Sequence, residues 1–197
     1  KEYDGMNGFD VGKITDTAVT GTVREESIEA TPVSGTYDNH SAGENKTISI
    51  LYTLTGEGGT DLSNYTFGGA PIPADGRVTV SMSGGEVTAR KITITIANKE
   101  KIYDGTFPTV GSEEGADWKV SAGELVQGDS LGVALTVDNA KAGADAYTIS
   151  GKAANPNYDV VFKNGIYTVA HRPITVQIGN AGGLYGEQPD LAIGEQK

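Results

Sequence analysis

The sequence contains no cysteine, so neither a disulfide nor a thiolate metal site can hold this chain together. That absence does not by itself name a compartment. Basic side chains are scarce: 15 Lys and Arg face 26 Asp and Glu, for a formal net charge of −11. A phosphate backbone needs a Lys/Arg footprint, so nucleic acid is excluded as a partner, and an anionic membrane surface is disfavoured on the same ground. No apolar run approaches 18 residues, and these residues show no signal peptide or lipidation motif. That last absence carries little weight. The chain opens inside a repeat and stops about a dozen residues after Tyr185, which reads as a piece of a longer array. No window sustains a 3.6-residue apolar period; a short helical turn around Trp118, within 113–126, is the one helical expectation.

What is abundant is glycine, 28 residues, together with threonine. Glycine supplies positive φ in tight turns, and threonine and valine suit a pleated, half-exposed surface. The hydrophobic fraction of 37% points to small cores, since the apolar residues are strongly patterned. Ile48, Ile50, Tyr52 and Leu54 share one face of an alternating run. Leu131, Val133, Leu135 and Val137 form a second row, and Tyr158, Val160 and Phe162 a third. Ile92, Ile94 and Ile96 alternate with threonine, and Ile174, Val176 and Ile178 repeat that arrangement. Turn signals separate the runs: Asn7-Gly8, Asp75-Gly76, Gly84-Gly85, Asn155-Pro156 and Asn164-Gly165.

The chain repeats itself. Lys1-Glu2-Tyr3-Asp4-Gly5 matches Lys101-Ile102-Tyr103-Asp104-Gly105, and Leu184-Tyr185-Gly186 is a third copy with glycine in place of the aspartate. The tyrosines lie 100 and 82 residues apart, yet the flanks hold their spacing. Tyr3 to Gly43 and Tyr103 to Gly143 are both 40 residues; Arg90 to Tyr103 and Arg172 to Tyr185 are both 13. The excess of 18 falls in the middle, 7 between Gly43 and Tyr65 and 11 between Tyr65 and Arg90, when compared with Gly143, Tyr158 and Arg172. Two insertions, near 56–61 and 68–85, account for it. The second contains Val78-Thr79-Val80-Ser81-Met82 and predicts an added β-hairpin or a long bulged strand. The fold class that follows is all-β: two tandem immunoglobulin-like β-sandwich repeats, 1–91 and 92–173, and the start of a third at 174–197.

The segments Lys101 to Thr106, Asn139 to Gly143, Asn157-Tyr158, and Asn164 to Val169 ahead of Arg172-Pro173-Ile174-Thr175 resemble the YDG-type and "mostly bacterial, glycine-rich" (MBG) repeats of large bacterial surface proteins. The likeness covers nearly the whole chain twice over. The first copy departs from it through its insertions and through Lys91 standing where the second has Pro173. The resemblance implies tandem sandwich modules of secreted or cell-surface, adhesin-like proteins, with no catalytic residue to carry over. Some sandwiches of Gram-positive adhesins form a Lys–Asn isopeptide bond; Lys91 and Lys101 permit one without indicating it.

Tyr103-Asp104-Gly105 admits two readings. It is a ligand or metal site, or it is a structural corner in which Tyr fills the end of the core, Asp bonds the backbone two residues on, and Gly takes positive φ. Recurrence at module junctions favours the corner, and the loss of the carboxylate at Tyr185-Gly186 argues against metal. Asp138, Asn139 and Asp145, and Asp38, Asn39, Glu44 and Asn45, offer oxygens to Ca2+ but match no calcium loop, so solvated acidic turns are favoured. His40 and His171 have no companion for a triad or zinc site. Glu25-Glu26 and Glu113-Glu114 are adjacent pairs, which point apart in an extended strand and cannot serve one glycosidic bond. Trp118, the only Trp, is a buried core residue before it is a sugar platform.

No catalytic, cofactor-binding or metal-ligating residue is therefore expected. The expected junction residues are Tyr3, Asp4 and Gly5, Tyr103, Asp104 and Gly105, and Tyr185 and Gly186. The leading expectation is a non-enzymatic, extracellular, monomeric spacer or adhesion segment of a bacterial surface protein, with no direct membrane insertion. A module that binds a host or matrix protein or a glycan through the second insertion, and an accessory region of a secreted enzyme, stand as alternatives.

Overall fold

The computed structural model describes residues 1–177 and Tyr185; the last apolar position of the 174–178 row and Gly186 lie outside the described residues. Every regular element of more than three residues is a β-strand. In the first half β1 (Gly8–Phe9), β2 (Ser27–Tyr37), β3 (Gly43–Glu57) and β6 (Arg77–Val87) form an antiparallel sheet in the order β1-β2-β3-β6. A small hairpin, β4 (Thr66–Phe67) with β5 (Ala70–Pro71), stands apart from it.

Alternation dictates which face of this sheet is dry. Ile48, Ile50, Tyr52 and Leu54 of β3 are all buried, with Ile28 and Tyr37 of β2 and Val78 and Val87 of β6 beside them. Pro32 cannot donate to a ladder, and β2 accommodates it with a bulge between Pro32 and Ser34. The segment 77–82 is part of an 11-residue strand in register with β3, and residues 66–71 make the hairpin, so the second insertion adds β structure in both forms. The first insertion closes the far end of β3, where Gly58 and Gly59 take φ of +63° and +90°.

The second half has two sheets. The strands β8 (Lys99–Ile102), β10 (Ala134–Val137), β11 (Asp145–Lys152) and β13 (Gly165–Ala170) lie in the order β10-β11-β13-β8. The other sheet, β12-β7-β9, sets β7 (Arg90–Ile96) between β12 (Tyr158–Lys163), parallel to it, and β9 (Trp118–Ala122), antiparallel to it. Ile92, Ile94 and Ile96 of the central strand are no more than 3% exposed. On the outer face the Thr95 hydroxyl donates to Ser121 Oγ at 2.9 Å.

Three expectations need correction. Trp118 itself opens strand β9: one turn closes just ahead of it, where Asp117 N–H donates to Glu113 O at 2.8 Å, and from Trp118 on Ile96 and Ile94 of β7 pair with Trp118 and Val120 and draw the segment into the sheet. Leu131 and Val133 precede β10, so only Leu135 and Val137 of their row are in strand, although Leu131 is buried. Ile174 and Val176 pair with nothing among the described residues and are 86% and 79% exposed.

Candidate functional site

The repeated motif folds the same way twice. Tyr3 N–H donates to Thr88 O at 2.9 Å, just past the end of β6, and Tyr103 N–H donates to Ala170 O at 2.8 Å, at the end of β13, so each motif is tied to the end of a later strand. The next residue turns the chain. Asp4 Oδ1 accepts the Met6 amide at 2.9 Å, and Asp104 Oδ1 accepts the Thr106 amide at 3.0 Å, which are Asx turns. Gly5 and Gly105 follow at φ +78° and +81°, a region in which a Cβ is strained.

A lysine three residues ahead closes each loop. Lys1 Nζ lies 2.6 Å from Asp4 Oδ1 and donates to Met6 O; Lys101 Nζ lies 2.9 Å from Asp104 Oδ1 and donates to Thr106 O and Oγ1. The hydrogen bonds from Lys101 and Thr106 hold the Asp104 carboxyl far below the usual carboxylate range. Burial works to raise Asp4, and the bonds from Lys1 and Met6 outweigh it, so it too is lowered. A carboxylate already neutralised by an ammonium and bonded to its own loop has little left for a metal ion or a proton relay.

The two tyrosines differ. Tyr3 is 3% exposed, whereas Tyr103 is 36% exposed, and Tyr185 is fully exposed. The expectation that each Tyr fills the end of a core therefore holds in geometry for Tyr3 and not for Tyr103. The reason lies in what covers Tyr3. Its ring meets Tyr158 edge-on at 5.6 Å and His40 at 6.1 Å, and its hydroxyl donates to Asp129 Oδ2 at 2.8 Å. Tyr158 donates to the same oxygen at 2.7 Å and accepts the Val126 amide at 2.9 Å. Nearby, Asn157 Oδ1 accepts the Ala42 amide at 2.8 Å, and a Cβ on Gly5 would sit 2.8 Å from Val126 Cγ1.

This is a clasp between the two halves of the chain. Bonds from Tyr158 and Tyr3 lower the Asp129 carboxyl. Burial first, and then the hydrogen bond to Asp129 and its charge, raise both tyrosines above their ordinary value. That Asp129, Asn157 and Val126 meet Tyr3, Ala42 and Gly5 was not legible. Asp129 sits in a turn whose amide donates to Val126 O, and no local pattern separates it from other acidic turns.

Of the remaining candidates, Asp138, Asn139 and Asp145 line one cleft. Asp138 accepts from Ser150 Oγ at 2.9 Å, Asp145 accepts its neighbour's amide, and Lys141 shares their cleft. Asp38 accepts the Asn39 amide at 2.8 Å, and Asn39 Oδ1 accepts from Lys46 Nζ at 2.6 Å. That Lys–Asn contact is not one of those the sequence singled out; Lys101 is committed to its loop, and Lys91 is exposed. Trp118 is buried and its Nε1–H donates to Ser112 O at 3.0 Å, which leaves no ring face for a sugar. Glu26 accepts from the Tyr65 hydroxyl, and His171 is exposed. An ion pair missed by pattern reading, Lys99 with Asp117 at 2.7 Å, pins the start of β9 and lowers the Asp117 carboxyl.

Comparison with protein families matches residues 1–74 to the YDG domain and residues 92–168 to the MBG domain (YGX type). The chain carries a YDG domain followed by an MBG domain. Domains of these kinds are repeat modules of surface proteins. Nothing among the curated proteins or the solved structures matches the chain. The clasp thus joins the YDG domain, through Tyr3, to the MBG domain, through Asp129 and Tyr158. Among the described residues no helix is long and apolar enough to cross a membrane, which says nothing of β-barrels.

Proposed function

We propose that this chain is a non-enzymatic structural segment of an extracellular bacterial surface protein. Its modules are immunoglobulin-like sandwiches at 1–91 and 92–173, with a third beginning at 174, and they are set in series as an adhesive spacer. The observation that supports this most is the shared acceptor at the junction: Asp129 Oδ2 takes hydroxyl hydrogens from Tyr3 and from Tyr158, one from each side. The Tyr3–Asp129 bond, the Asn157–Ala42 bond and an edge-on ring contact cross the junction and resist rotation between modules better than a bare linker does, while the Tyr158–Asp129 bond fixes the shared acceptor in place. The motif Lys-x-Tyr-Asp-Gly is the joint piece, and its carboxylate shapes the loop.

Small-angle scattering of the full chain tests this. An elongated particle whose maximum dimension shortens or broadens in Asp129→Ala is the expected outcome. A compact particle unaffected by that substitution would sink the spacer reading.

A further inference from the structure

Lys46, near the start of β3, is the one buried lysine among the described residues, at 7% exposed. A lysine is rarely buried unless an acid pairs with it. Lys46 makes no ion pair among the described residues, and its ammonium donates to Asn39 Oδ1 at 2.6 Å. The lysines that close the two Tyr-Asp-Gly loops each meet a carboxylate. Lys46 meets an amide instead.

That amide is set up on all three of its atoms. Its oxygen also accepts the Ser41 N–H at 3.1 Å, and its nitrogen donates to Asp38 Oδ1 at 3.2 Å. Asp38 is held in turn by the start of β3: its N–H donates to Thr47 O at 2.9 Å, and its Oδ2 accepts the Thr47 amide at 3.4 Å. A C=O bond is about 1.2 Å long, so Lys46 Nζ stands no more than about 3.8 Å from the amide carbon, close to the 3–3.5 Å of a near-attack contact. Asn39 is exposed, which leaves its amide room to turn its face to Nζ. One carbonyl therefore has an amine beside its carbon, a backbone N–H on the oxygen where charge would develop, and a carboxylate on the nitrogen that would leave.

We propose that Lys46 and Asn39 condense to a side-chain amide within the folded chain. The bond from Lys46 Nζ to Asn39 Cγ forms and the bond from Cγ to Nδ2 breaks. Two protons pass from Nζ to the departing nitrogen, with Asp38 as their carrier, so the ammonium and the primary amide become a secondary amide and an ammonium ion. No oxidant, reductant or metal enters. The site belongs to the first half alone: Asp138-Asn139 recurs 100 residues on, where Ala146 stands in the place of Lys46. The cross-link clips the connection between β2 and β3, which carries Ala42, and the Ala42 amide donates to Asn157 across the joint. It therefore stiffens the first module at the end that meets the second.

Intact mass and a tryptic map of the full chain, folded by circular dichroism and incubated at mildly alkaline pH, test this. The expected result is a mass lower by one ammonia and no cleavage after Lys46, so that residues 25–77 run as one peptide whose fragments place the link between Asn39 and Lys46. Lys46→Arg keeps the charge and removes the amine, and it should retain the full mass. Asp38→Asn should slow the loss of ammonia about a hundredfold or more; an unchanged rate there overturns the part given to Asp38. A folded natural chain of full mass that trypsin cleaves after Lys46 overturns the condensation. So does an ammonia loss that persists in Lys46→Arg, which is succinimide formation at Asn7-Gly8 or Asn164-Gly165 instead. The spacer reading is decided by scattering alone, so the two failures are distinguishable.

Discussion

Gly5 and Gly105 offer an internal control on the junction. Both occupy the same turn of the same motif at nearly the same φ, +78° and +81°. Alanine at either position meets the left-handed penalty, about 1–2 kcal/mol. Only at Gly5 does the new carbon meet something: it would stand 2.8 Å from Val126 Cγ1, in the other half of the chain, whereas Gly105 has open space. Overpacking of that kind costs about 1–3 kcal/mol. Gly5→Ala should therefore destabilise by about 2–5 kcal/mol and Gly105→Ala by about 1–2 kcal/mol. The contact part cannot exceed what the junction itself contributes, because the junction can open instead. Urea titration of the full chain by circular dichroism, with scattering on the same samples, reads both responses. Val126→Ala in the Gly5→Ala background should return most of the contact part, a coupling of about 0.5–3 kcal/mol between residues distant in sequence. Equal effects of the two glycine substitutions, or no coupling to Val126, would refute the packing of the motif against the second half.

The clasp carries a pH signature of its own. Asp129 is lowered in the folded chain, so its contribution is present above about pH 4, the ordinary carboxylate value, and is lost as pH falls through the folded value. Tyr3 and Tyr158 are raised, so theirs is present below about pH 10 and is lost as pH rises through their folded values. Thermal unfolding against pH in the natural chain and in Asp129→Asn should show a reduced acid limb and a reduced alkaline limb in the variant, because the residue that raises both tyrosines has lost its charge; superimposable profiles would remove Asp129 from the junction's energetics. In the second core, Ile94→Ala should cost about 2–5 kcal/mol, since that side chain is fully buried at the centre of β7. Ile102→Ala, at a position 58% exposed, should stay within about 0.5 kcal/mol. Denaturant midpoints followed by Trp118 fluorescence decide between them.

Much of the β structure was legible because its signals are local. In the run Ile48 to Leu54 the four apolar residues at alternate positions are buried; Asp4 and Asp104 bond the amide two residues on; Gly5 and Gly105 take positive φ. Trp118 misled because aromatic and charged residues without clear period admit a helical turn, and pairing with β7 overrode it. Leu131 was placed in a strand by spacing alone, although it is buried without being in one.

The candidate site divides along the same line. Period two, turn glycines and Asx turns are written within a few residues, so the sequence by itself determined an all-β chain and the loop geometry of its repeated motif. It could not say that Tyr3 is buried and Tyr103 half bare, since the two lie in nearly the same local sequence. That difference is made by Asp129, 126 residues away from Tyr3, and by Tyr158. Burial and hydrogen-bond partnership depend on what the chain brings close in space, and only the tertiary structure decided them.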